Sequence, residues 1–109
     1  MTTYLFVYRA PANYSPSPET AVAWSAWHQS LGASLKDRGN PVFRAETLGA
    51  GPAGTVLGGY SLVRAANLDA AAALAKGCPG LGAGMSVEVG EVTNVEDSYD
   101  AWLAAHPAS

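Results

Sequence analysis

LGGYSLVRAANLDAAAALAKGCPGLGAGMSVEV, residues 57–89, reads as a strand, a helix and a second strand in one uninterrupted run. Gly58-Gly59 opens an alternating segment, with Tyr60, Leu62 and Arg64 on one face and Ser61 and Val63 on the other. Asn67 is placed to cap the helix, because its side-chain oxygen can accept an orphan backbone N–H of the first turn. Gly77 and Pro79 close that helix. Met85, Val87 and Val89 then alternate with Ser86 and Glu88, which is strand periodicity again. The alanine-rich run between 65 and 75 has the composition of a repeat. Alanine is the best helix former, however, and a thin helix packs close to a sheet, so the run reads as structure.

Upstream, residues 4–8 set Tyr4, Phe6 and Tyr8 against Leu5 and Val7. Both faces are apolar, which predicts a central strand with something packed on each side. Pro11, Pro16 and Pro18 make a loop, and Ser17 with Pro18 starts a helix expected to run to about residue 37, where Gly39-Asn40-Pro41 stops it. At 100° per residue Trp24, His28, Leu31 and Leu35 share one stripe, with Trp27 at its edge. A second strand is expected from 42 to about 48, followed by the loop GAGPAG at 49–54. After Val92, a short helix begins at Asn94 or Asp97, presents Tyr99, Trp102 and Leu103 as its apolar side, and ends at Pro107.

The order β-α-β-β-α-β plus a terminal helix predicts an α+β fold of the ferredoxin-like, split-βαβ kind. Two helices then cover one face of a four-stranded antiparallel sheet. The other face carries large apolar side chains, and pairing with a second copy would cover them.

With 109 residues this is one domain, 1–109, near the commonest size. Charged residues make up 14% of the chain, against a typical ~25%, which also tilts the reading toward an oligomer. A net charge of −3 with six basic residues argues against a nucleic-acid partner, since phosphate contacts need a basic face. Cys78 is the single cysteine, so neither an intrachain disulfide nor a thiolate metal cluster is expected. The start of the chain lacks the charged lead and apolar core of a secretory signal, and no run approaches the ~20 apolar residues of a membrane span. The expectation is a cytoplasmic protein that needs no membrane.

Residues 3–92 resemble the YCII-like domain family, a member of the dimeric α+β barrel group. The resemblance is carried by GGY at 58–60, Ala71 or Ala72 in the helix, Cys78-Pro79 and VEV at 87–89, and by a helical His28 eleven residues before Gly39. It implies a homodimer, with a helix-borne histidine paired to an aspartate near the end of the first strand. His28 matches the histidine, while the strand ends in Tyr8-Arg9, without the aspartate. An Asp-Gly-Pro-Phe motif of a related branch is reduced to Gly51-Pro52, and the usual VEVRPV ending reads VEVGEV, with Gly90 and Glu91 replacing Arg and Pro. Relatives in this group include a dehydrochlorinase-type lyase. The resemblance therefore implies cofactor-independent elimination or isomerisation, or else a dimer that binds a small ligand without catalysis.

His28 is the catalytic candidate, because imidazole titrates near neutral pH without help. On an apolar stripe it is equally readable as a core histidine bonded to a backbone carbonyl. Trp24 and Trp27 are candidate pocket walls, or else core or interface residues. Arg9, Arg44 and Arg64 are the arginines expected on or beside strands. Arg9 is the candidate for pairing a substrate carboxylate, against an ordinary solvated side chain. Tyr60 is a candidate for orienting the substrate. Glu88 is a partner for His28 or an arginine if it faces a dimer cavity, and surface if it does not. Gly49 to Gly54 formally match G-x-G-x-x-G, but a strand follows and Pro52 removes a donor, so no dinucleotide is expected. His28 and His106 have no metal-ligand spacing, so neither metal nor other cofactor is expected.

Overall fold

The computed structural model describes residues 1–93 and 99–106. Four strands and three helices follow one another as β1 (Thr2–Pro11), α1 (Pro18–Leu31), β2 (Leu35–Asp37), β3 (Thr55–Ala65), α2 (Leu68–Ala75), β4 (Ser86–Glu91) and α3 (Tyr99–Ala105). The sheet runs β2-β3-β1-β4, and every neighbouring pair is antiparallel. This is an α+β fold compatible with the ferredoxin-like arrangement. β1 is central, as its two apolar faces require.

Alternation along the strands sorts the side chains. Tyr4, Phe6, Tyr8 and Ala10 of β1, with Ser61, Val63 and Ala65 of β3, are buried beneath the helices. Their neighbours Leu5, Val7, Leu57 and Leu62 are only half-buried and lie on the other face, with Leu5 opposite Leu62. α1 contributes Trp27 and Leu31 to the core, and α2 contributes Ala71 and Ala75. Alanine suits α2 because a side chain of one carbon lets the helix sit directly on the sheet. Asn67 caps it, its Oδ1 accepting the Ala70 N–H at 2.8 Å.

Three expectations need correction. α1 ends at Leu31, where Gly32 takes φ +54° and its N–H returns to the Gln29 carbonyl. A 3-10 turn over Gly32–Ser34 follows, and Leu35 becomes the first residue of an edge strand. Leu35 still packs against the core, because as a strand residue it lies opposite Val63. The second strand is therefore Leu35–Asp37, and the 42–48 segment is a loop joined to the sheet by one bridge, Pro41 to Gly59. β2 pairs with β3 only at Leu62 and Val63, and past Val42 the segment leaves the strand, so Phe43 and Leu48 stay exposed. Finally, Tyr99 and Leu103 of α3 are exposed instead of forming a buried side, while Trp102 stacks on His106 at 4.3 Å. Asn94, Asp97 and Pro107 lie outside the described residues. No described helix is long and apolar enough to cross a membrane.

Candidate ligand cavity

α1 starts with a capping box. The Ser17 hydroxyl accepts the Thr20 N–H at 3.3 Å, and the Thr20 hydroxyl accepts the Ser17 N–H at 2.8 Å, with Pro18 at the first turn. This pins the helix so that positions 24, 27, 28 and 31 face the sheet, the i, i+3, i+4, i+7 spacing of a buried stripe. Trp27 stacks on Phe6 with 6.3 Å between ring centres. Trp24 sits edge-on to Tyr8 at 4.8 Å and to Trp27 at 5.7 Å. His28 is held against both indoles, 5.1 Å from Trp27 and 5.8 Å from Trp24.

A cavity of about 440 Å³ opens beside these rings, between the first half of α1, the end of β1, the start of β3 and residues 38–43. That size falls within the range of small-molecule sites. Its walls are mainly apolar and aromatic, with His28, Arg38, Asn40 and Thr20 among the polar groups.

His28 is buried, and neither Nδ1 nor Nε2 has a hydrogen-bond partner among the described residues. Burial lowers its pKa below the ordinary 6.5, and the nearby Arg38 charge lowers it further. The imidazole is therefore neutral at physiological pH.

Tyr8 is treated differently. Its hydroxyl donates to Ser61 Oγ at 2.8 Å, and Ser61 in turn donates to the Arg38 carbonyl at 2.7 Å. Burial pushes the Tyr8 pKa up to about 12 despite the Ser61 contact, so it stays a neutral phenol. The chain Tyr8–Ser61–Arg38 ties the 38–43 segment to the sheet floor. A further bond, Asn40 Nδ2 to Tyr60 Oη at 3.1 Å, closes the rim.

Of the residues singled out from sequence, His28, Trp24 and Tyr60 border this cavity. Trp27 lies in the core behind them. Arg9 and Glu88 are on the opposite face of the sheet: Glu88 is paired with Val7 and exposed, and Arg9 Nε donates to Thr55 Oγ1 at 3.1 Å. Glu88 is thus not a partner of His28 within one chain. Tyr8, Ser61 and Arg38 were not identified from sequence. Ser61 carried a usable signal, a hydroxyl at the same phase as Val63 in a strand whose other face holds Leu62. Arg38 did not, since the expected helix ended just before it; it follows β2 directly, which adds a fourth arginine beside the strands. No protein-family profile matches the chain, and no curated protein does either.

The depressed pKa of His28 sets a direction for stability against pH. Below the ordinary 6.5 the unfolded chain takes up a proton that the folded chain resists. The unfolded state then binds more protons, so stability is fully present above 6.5 and is lost as pH falls toward the folded value. Urea melts across this window should show wild type losing stability faster than His28→Phe, which has nothing to titrate. At higher pH the variant should match or exceed wild type, because it removes two unpaired buried nitrogens. Parallel pH curves would show that His28 is not held neutral by burial.

Proposed function

We propose that the chain is a YCII-like, homodimeric α+β barrel protein of the cytoplasm, whose cavity binds a small molecule and carries out cofactor-independent acid–base chemistry, an elimination or an isomerisation. The observation that carries this reading is the neutral, buried His28 on the wall of an aromatic cavity, with both ring nitrogens unpartnered among the described residues. An unpaired buried nitrogen costs about 1–3 kcal/mol, and a ligand that donates a hydrogen bond once the ring turns toward the cavity removes that cost. The same lone pair is the one that would take a proton from the ligand and return it at the neighbouring atom. Dimerisation is supported by the uncovered sheet face, where Leu5, Val7, Leu57 and Leu62 form a half-buried apolar strip beside Arg9, Arg64 and Glu88.

One observation favours a second reading, a ligand-binding dimer without catalysis: no group orients the other nitrogen of His28 among the described residues. Proton exchange separates the two. Fragments that bind wild type are first shown to occupy the cavity, by loss of binding to Ala21→Trp, which fills it from α1. They are then followed by NMR in deuterated buffer. Acid–base chemistry predicts loss of a fragment C–H signal about 10²–10⁴-fold faster with wild type than with His28→Gln. Binding without exchange by either protein supports the second reading. Light scattering at micromolar concentration is expected to give twice the chain mass, with at least roughly 1,200 Å² buried between copies. A monodisperse monomer overturns the barrel.

A further inference from the structure

Building on the cavity reading, we infer that the ligand is a planar aromatic anion, its charged group on Arg38 and its ring against the aromatic walls that include Trp24 and Phe43. Among the described residues, those lining the cavity include Arg38 and no aspartate or glutamate. A cation without an anion on a cavity wall raises the local concentration of anions and repels cations. Arg38 makes no ion pair or side-chain hydrogen bond with any described residue, so its guanidinium fork is free for a carboxylate. What holds Arg38 there is its backbone: the carbonyl takes the Ser61 hydroxyl at 2.7 Å, and the side chain is left exposed.

The flat shape of the ligand follows from the walls. Tyr8, Tyr14, Trp24, Phe43 and Tyr60 all border the space, and Phe43 is 82% exposed. A large aromatic side chain left in water on a cavity that also holds a free arginine is what a ring-bearing anion would cover, gaining stacking from the rings and charge from the arginine. His28 borders the same space with its ring nitrogens covered and unpartnered, and a turn of the imidazole toward the cavity lets it accept from a donor on the ligand. The site thus combines an anion contact, a histidine and aromatic walls.

Three probes of one shape test this by isothermal titration calorimetry: naphthoate, naphthamide and naphthylmethylammonium. Wild type should bind the carboxylate at least about tenfold more tightly than the neutral amide, and the cation most weakly. Arg38→Met should bring carboxylate and amide to similar affinity with no change in melting temperature, since the side chain is exposed and unpaired. Arg38→Lys should keep part of the preference, because it preserves charge but not the fork. Equal affinity of wild type for carboxylate and amide overturns the anion assignment while leaving the cavity reading intact. Survival of the preference in Arg38→Met overturns that assignment as well. Failure of all three probes to bind wild type overturns both.

Discussion

Trp27→Ala is expected to cost about 3–5 kcal/mol, roughly a fifth or more of the stability of a domain this size. Trp27 is 7% exposed and packs on Phe6, Tyr8, Trp24 and His28 at once, so truncation opens a void that four neighbouring rings cannot close without leaving their own contacts. At this chain length each kcal/mol lowers the melting temperature by roughly 4–8 °C, so the shift is unmistakable by calorimetry. Trp24→Ala is the comparison. Trp24 is half-buried and faces the cavity, so its loss should lower stability less and weaken ligand binding more. If Trp27→Ala melts within a few degrees of wild type, Trp27 is not a core residue, and the division between core and cavity wall along α1 is wrong.

Gly39→Ala should be nearly as damaging, for a different reason. Gly39 has φ +73°, and a Cβ there would overlap the carbonyl oxygen and carbon of Tyr60. Those are backbone atoms of β3, which cannot swing aside as a side chain would. The strained φ alone costs of order 1–3 kcal/mol for a residue with a Cβ. Relieving the overlap would also pull the 38–43 segment off the sheet, threatening the Asn40–Tyr60 and Ser61–Arg38 hydrogen bonds. The expected loss is about 2–4 kcal/mol, together with ligand affinity, since Arg38 and Asn40 move with that segment. Gly82→Ala is the control: that site has open space around it, and the change should fall within about 0.5 kcal/mol of wild type. Equal melting of the two variants would show that the 38–43 segment is not clamped against β3.

Much of the fold was legible because its signals are local. The two-residue alternation of 60–65 and 85–89, the Asn67 cap, and the Trp24–His28–Leu31 stripe each depend on a few neighbouring residues. They determined one central strand, one edge strand, two helices and the α+β order without reference to the rest of the chain. β2 was not legible, because three residues are too few to show a period, and Leu35, four after Leu31, fits a helical stripe as well as a strand. The candidate site was decided only in three dimensions. Alternation tells which residues share a face of the sheet, but not which face the helices cover. That placement put Glu88 and Arg9 opposite His28, and it brought Arg38 to the cavity through a backbone carbonyl bonded to Ser61, 23 residues away. A hydrogen bond to a carbonyl leaves no mark on residue type. His28, Trp24 and Tyr60 were visible by their chemistry; Arg38 became a site residue only when the chain folded back on β3.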